Sequence, residues 1–415
     1  MSTATSVLIL GAGQAGLALS WSLSQRGIDH ILLERGRVGE RWHAERWPGL
    51  HLLTPNWMNR LPGPWSEAEP EGFMSAAGFA ARLKNYREAI SAPVITGCEV
   101  QSVERENGRF RVVAGGRQWF ARAVVIATGA CDLPAVPAWA KALPKEIIQV
   151  VPTRYRGAEA LPEGGVLVVG ASATGVQLAA EIQASGRPVT LAVGRHVRAP
   201  RRYRGREIFE LLSQSGFLDA SRPEDADPAH LMALPSLQLT GSAGGAALGL
   251  DRLQAMGVRL VGRALGAEGG TLHFEPALGA EIDAGERRRR KLLTQLETHL
   301  AETGSMLPAD PEAWRAPDLP RVGPERLHLP AQGIRTVVWA TGFRRAYPWL
   351  HLPVLNSAGE LETDRGTTAV PGLYALGLPF LRHRASAFIH GVGRDAEDLA
   401  PLIAAGLRRG IQLAA

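Results

Sequence analysis

Thiols are nearly missing from this chain: of 415 residues only Cys98 and Cys131 carry one, and they form no Cys-x-x-Cys pair. Mechanisms that cycle a vicinal dithiol are thereby excluded, and both residues read as small buried apolar groups. Long apolar runs are missing as well. No uncharged stretch approaches the ~20 residues that a membrane-spanning helix needs, so no membrane partner is expected. The segment Met1 to Leu23 is apolar but has no basic leader. That argues against a secretion signal and, with the isolated cysteines, for a cytoplasmic protein. Lysine is confined to Lys84, Lys141, Lys145 and Lys291, so arginine carries the net charge of +6. No basic surface interleaved with aromatics is visible, and no nucleic-acid partner is expected. The run Arg287 to Lys291 opens an amphipathic helix through Leu292, Leu293, Leu296 and Leu300 and reads as its solvated face.

What remains is a composition of 45% hydrophobic and 21% charged residues, with length for two or three domains. Its informative feature is a doubled glycine turn. Gly11-Ala12-Gly13-Gln14-Ala15-Gly16 and Gly170-Ala171-Ser172-Ala173-Thr174-Gly175 each follow an apolar run, and each opens a stretch with helical apolar spacing. Gly11 permits a tight turn, Gly13 leaves room for a pyrophosphate, and Gly16 lets helix pack on strand. Gln14 and Ala15 then place backbone N–H groups at the positive end of the helix dipole. Glu34 closes the strand Ile31 to Leu33, where a carboxylate accepts bonds from an adenosine ribose, with Arg35 beside it. A glycine pattern alone is weak in a chain with 47 glycines. Strand, turn, helix and acid in that order are a far stronger signal.

The second unit differs at the matching place. No acid ends its strand Val189 to Ala192; Gly194-Arg195-His196 stands there, with Arg198, Arg201 and Arg202 beyond. A guanidinium offers a 2′-phosphate a planar, permanently charged partner, so the site reads as one for NADP. The competing reading of Arg195 is one more surface arginine. Ser172, Ala173, Thr174, Gly175 and Gln177 complete this candidate site. Two further turns repeat each other: Ala127-Thr128-Gly129 after strand Ala123 to Ile126, and Ala340-Thr341-Gly342 after strand Thr336 to Trp339. Between the first unit and these lie a Trp- and Pro-rich stretch, a helix over 75–89 and a small antiparallel meander. Residues 220–330 are the least readable.

With these residues in place the chain resembles class B flavoprotein monooxygenases, the two-dinucleotide-domain group that includes flavin-containing monooxygenases. The carriers are the first glycine turn with Glu34, Gly39-Glu40-Arg41-Trp42, Leu52-Leu53-Thr54-Pro55 with Leu61-Pro62-Gly63, both Ala-Thr-Gly turns, the second glycine turn, and Gly372-Leu373-Tyr374 through Gly391-Val392-Gly393-Arg394-Asp395-Ala396. The resemblance covers nearly the whole chain. It implies an α/β fold of two Rossmann-like domains: an FAD-binding domain over 1–156 and 332–415, and an NADPH-binding domain over 157–331 inserted into it. It also implies that Arg41, Trp42, Thr54, Gly391 and Gly393 lie about the flavin. The group's linker, Phe-x-Gly-x-x-x-His-x-x-x-aromatic, is altered: aligned on Tyr155, it places Lys145, Ile147 and Val151 at the first three named positions.

The activity implied is transfer of one oxygen atom from dioxygen to a small organic substrate through a flavin C4a-(hydro)peroxide, with NADPH consumed. The altered linker keeps a second class in play, an NADPH-dependent flavin reductase or oxidase that inserts no oxygen. A non-catalytic nucleotide sensor is a third. Asn56 is a candidate for a hydrogen bond at the flavin edge or, alternatively, a turn asparagine bonded to backbone. His383, between Arg382 and Arg384, either steadies an oxygen adduct, binds an acidic substrate, or is an ordinary loop histidine. Trp42, Trp47, Trp57 and Trp65 read as a wall for the flavin or as core. A homodimer is compatible with the sequence and not required by it.

Overall fold

A computed structural model describes residues 2–66, 69–222, 231 and 234–412. The first sheet is built from β1 (Ser2–Leu10), β2 (His30–Leu33), β3 (Val94–Ile95), β4 (Val100–Glu106), β5 (Arg109–Ala114) and β6 (Arg117–Ile126), in the order β3-β2-β1-β6-β5-β4. Val7 to Leu10 have no exposed surface, as expected for a parallel strand covered on both faces. The meander is not a separate unit. The first half of β6 pairs antiparallel with β5, and its second half, Val124 to Ile126, pairs in parallel with Leu373–Ala375. One unbroken ten-residue strand thus changes partner along its length. Crossing helices α1 (Gln14–Ser24), α2 (Glu40–Ala44) and α3 (Ala76–Ala89) flank this sheet.

A two-stranded link of β7 (Leu133–Pro134) leads to the second sheet, which holds β8 (Ile148–Val150), β9 (Gly165–Val169), β10 (Val189–Ala192), β11 (Arg259–Val261) and β12 (Ile334–Trp339). Its order is β11-β10-β9-β12-β8, parallel throughout, with α4 (Ala173–Ala184) following β9. The chain returns through β13 (Phe343–Arg344), antiparallel to β7, and then β14 (Leu373–Ala375). The boundaries drawn at 156/157 and 331/332 therefore cut across the second sheet. β8 and β12 lie on the FAD side of those boundaries in sequence yet hydrogen-bond to the inserted sheet. The paired strands β7 and β13 are where the chain passes between the two sheets.

The helix expected from Arg287 begins earlier, as α5 (Leu278–Glu302), and its basic stretch is not wholly solvated. Arg289 is 1% exposed, paired with Glu286 and bonded to the carbonyls of Ala313, Trp314 and Arg315. Three carbonyls and a carboxylate satisfy the donors of a guanidinium, which is the condition for burying one. A last helix, α6 (Ile389–Gln412), closes the chain and packs on α1. No described helix is long and apolar enough to cross a membrane.

Candidate functional site

Each glycine turn is backed by one of the Ala-Thr-Gly turns. Gly11 and Gly170 both have φ of 110°, a region that excludes most L residues. A Cβ on Gly11 would stand 2.6 Å from the carbonyl oxygen of Ala127, and one on Gly170 would collide with the carbonyl of Ala340. The next close approach is also repeated: Gly16 sits against the Gly11 carbonyl and Gly175 against that of Gly170, with no room for a side chain at either. Gly13 is different. It caps α1 in extended conformation, and a Cβ there meets no heavy atom within 4 Å. The space the first turn keeps open is thus on the side where the N–H groups of Gln14 and Ala15 start the helix. At the equivalent place in the second turn stands Ser172, whose hydroxyl accepts the N–H of Ser236 at 3.0 Å.

Glu34 is 7% exposed and holds the first turn in shape, its two carboxylate oxygens accepting the N–H groups of Ala12 at 2.8 Å and Gly36 at 3.0 Å. A carboxylate has about four acceptor positions, so a ribose diol still fits. Trp42 donates from its indole to Gln14 Oε1 at 3.2 Å, and Arg41 reaches Asp132 at 2.6 Å and the carbonyl of Cys131. These contacts bring α2 onto the turn and onto the loop that follows Ala127-Thr128-Gly129. Arg35 lies outside, paired with Glu45 at 2.8 Å.

No acid follows β10 in the second site as Glu34 follows β2 in the first. Of the arginines past β10, Arg198 pairs with Asp251 at 3.1 Å, and Arg201 is buried against Glu207 at 2.9 Å and the carbonyls of Leu53 and Thr240. Arg195 is exposed and, among the described residues, has no acidic partner. Gln177 does not face a ligand with its amide nitrogen, which it donates to the carbonyl of Leu239 at 3.0 Å. Thr341 donates to the carbonyl of Ala135 at 2.6 Å, and Gly342 has φ of 91°. Both tie the returning link to the outgoing one.

Asn56 spends its amide on backbone, donating to the carbonyl of Glu69 at 3.0 Å and accepting the N–H of Met74 at 3.0 Å. Thr54 donates to Asn59 Oδ1 at 2.6 Å, and Asn59 returns bonds to the carbonyls of Thr54 and Pro55. Trp42 and Trp65 stack edge-on against Phe79 and Tyr86, inside the first core, whereas Trp47 is buried with Tyr155 in the second. Trp47 and Tyr155 share one acceptor, Glu181 on α4, reached by the Tyr155 hydroxyl at 3.0 Å. Burial is the dominant influence on Glu181 and raises its carboxyl above the usual range. Val151 is half-buried and packs on the apolar cluster that holds Leu167, Val337 and Trp339.

His383 lies 3.0 Å from the carboxylate of Asp395, which has no exposed surface. It heads a short turn, Arg384–Ala387, just before α6. Gly391 is on the first turn of α6, pressed against the Ala385 carbonyl, and a Cβ on Gly393 would stand 3.1 Å from Pro62. Gly377, in the same connection, would bring a Cβ to 2.9 Å from Ala15. The start of α6 therefore stands over the first glycine turn, with the Leu61-Pro62-Gly63 turn beside it. Sequence reasoning singled out His383 and missed Asp395 as its partner. An acid twelve residues away on an amphipathic helix carries no local mark of burial.

Two sheets, each with a glycine turn leading to a helix, and one inserted within the other, define the fold of two-dinucleotide-domain flavoproteins. The model for pyridine nucleotide-disulphide oxidoreductases matches residues 8–205. The chain belongs to the CzcO-like oxidoreductase family: it is 30% identical to an uncharacterized member from Geobacillus kaustophilus, over 95% of this chain and 96% of that one. A flavin-containing monooxygenase from Stenotrophomonas maltophilia has the same fold, with a TM-score of 0.65 at 22% identity over 97% of this chain and 99% of that one. An indole-3-pyruvate monooxygenase of rice, YUCCA1, is 28% identical over 49% of this chain and 51% of its own length.

Proposed function

We propose that this oxidoreductase binds FAD at the Gly11–Gly16 turn and NADPH at the Gly170–Gly175 turn, and inserts one oxygen atom of dioxygen into a small organic substrate. The observation that carries the reading is the pairing of an open Gly13 over a helix start with a twice-bonded Glu34, a cradle for pyrophosphate and ribose. FAD, when bound, supplies hydride acceptance and activation of dioxygen. The chain's own residues do the rest. Gln14 and Ala15 offer N–H groups to phosphate, Glu34 fixes the ribose, and Arg195 meets the 2′-phosphate of NADPH. The start of α6 over the first turn directs its positive end toward charge that develops there.

Disulfide reduction, which the matched family description names, finds no dithiol in this chain. Cys98 and Cys131 are free, and burial raises the Cys98 thiol, which makes it a poor nucleophile. A second reading, an NADPH-dependent flavin reductase or oxidase, is favoured by one observation: the linker position where the family has histidine is the apolar Val151. The test is oxygen accounting on the holoenzyme with NADPH, labelled dioxygen and a panel of thioethers, amines, ketones and small organic acids. Label in a product, matched to NADPH consumed, is the expected result. Quantitative hydrogen peroxide with every compound would replace it with the oxidase reading, and bound FAD with no NADPH turnover would leave a sensor.

A further inference from the structure

The connection between β14 and α6 is bonded to the inserted domain. Arg384 and Ala385 donate their N–H groups to the carbonyls of Ala220 and Leu218 at 2.9 and 3.0 Å, and Arg394 pairs with Asp219 at 2.6 Å. Clefts between domains are where substrates of this size are usually held. Among the described residues at this junction, Arg382, His383 and Arg394 each face an acid, and Arg384 does not. Asp219 is taken by Arg394, Asp395 by His383 at 3.0 Å, and Asp398 faces Arg382 at 3.6 Å.

Arg384 has no acid among the described residues. Its guanidinium carbon lies 4.2 Å from the ring centre of Phe217 and 5.0 Å from that of Phe380, one ring from each domain. Its Nε is buried with no hydrogen-bond partner. Burial alone acts on it, lowering its pKa. Phe380 holds its ring there at a φ of 52°, a left-handed conformation that a bulky residue adopts only at a cost. Aromatic faces position a guanidinium but do not satisfy its in-plane N–H donors, which remain free for a planar oxyanion. Aromatic residues follow in the chain: the partly buried Phe388 packs edge-on against Phe209 at 6.4 Å and against His390 at 6.1 Å.

We propose that Arg384, gripped between Phe217 and Phe380, anchors the carboxylate of a small organic acid whose apolar body lies against the adjoining aromatic residues, so that the substrate of this enzyme is an acid. This rests on the oxygen-transfer reading of the neighbouring redox site. It is not a consequence of the two-domain fold, because nothing in nucleotide binding requires an unpaired arginine at this junction.

The experiment is a titration of oxidised holoenzyme, without NADPH, with phenylacetate and with its neutral isostere phenylacetamide, read by flavin absorbance and by calorimetry. Wild type is expected to bind the acid at least ~10-fold more tightly than the amide, the scale of a charge-assisted fork. Arg384→Met is expected to abolish that preference and Arg384→Lys to retain part of it, since an ammonium keeps charge but not the fork. Equal binding of acid and amide by wild type, no saturable binding of the acid, or a preference that survives Arg384→Met would each overturn the proposal. The wild-type comparison can overturn the proposal even if the variants fail to fold. Because no NADPH or oxygen chemistry enters the titration, its failure leaves the oxygen-transfer reading standing. Failure of that reading appears instead as peroxide in the oxygen accounting.

Discussion

Gly13 and Gly16 lie three residues apart in one turn, and the structure assigns them different kinds of intolerance. Gly13 has φ of −83° and ψ of −168°, conformations open to any residue, and a Cβ there contacts nothing. Replacing it with valine costs the protein only the preference of the N-cap position, about 1 kcal/mol. The isopropyl group occupies the open face of the turn, so FAD affinity is expected to fall by at least ~100-fold, or about 2.7 kcal/mol. Gly16→Ala instead drives a Cβ into the Gly11 carbonyl. Backbone cannot step aside there as a side chain can, and the ligand-free protein should lose roughly 2–3 kcal/mol. Bound FAD stabilises the folded state by mass action, so the comparison must be made between apoproteins. The assay is denaturant unfolding of flavin-stripped wild type and both variants, followed by titration with FAD and readout of its fluorescence. A Gly13→Val protein that binds FAD normally would refute the cradle, and one that unfolds as easily as Gly16→Ala would refute the distinction.

Arg195→Ala should raise the KM for NADPH by on the order of 10-fold while leaving that for NADH nearly unchanged, because a 2′-phosphate loses its charge-assisted partner; equal effects on the two nucleotides would remove the ground for choosing NADPH. Glu181 gives a pH signature. Burial raises its folded pKa above the ordinary 4.5, so between these two values the folded state holds more protons than the unfolded one, and stability falls as pH rises through that window. Glu181→Gln removes the titrating group and can still accept from Tyr155. Its melting temperature should therefore change less than that of wild type as pH climbs above 4.5, and an unchanged slope would show that Glu181 does not titrate in this range.

The parts of the fold that could be read from sequence are those fixed by local backbone geometry. A glycine at φ of 110° followed by a helix start is demanded by a few consecutive residues, and both instances were visible. So were the two Ala-Thr-Gly turns, but not the fact that each supplies the carbonyl against which a first glycine rests. That contact joins residues more than a hundred positions apart, and no short-range pattern announces it. The same reason explains the domain boundary. β8 and β12 are strands whose sheet is chosen by pairing partners, not by their own composition. Arg289 misled for a related reason: its burial depends on carbonyls supplied by residues 313–315, so a charge run on a helix looked wholly solvated.

This division bears on why such a chain reveals its chemistry before its substrate. The proposed nucleotide sites rest on turn backbone for phosphate and on Glu34 for ribose, groups common to every dinucleotide. Residues that accept the same cofactors must keep the same φ angles and the same missing Cβ atoms, whatever is oxidised. Substrate recognition has no such constraint and falls to side chains where the domains meet. On the Arg384 proposal those are carried by the segments around Phe217 and Phe380–Asp395, one just ahead of the stretch that sequence reading found least legible and the other in the irregular connection that leads into α6. Changing Arg384 should therefore alter which molecule is bound and leave FAD retention intact, whereas changing Gly13 should do the reverse. If flavin content and acid preference were lost together in Arg384→Lys, the two functions would not be separable and the junction would be part of the cofactor site.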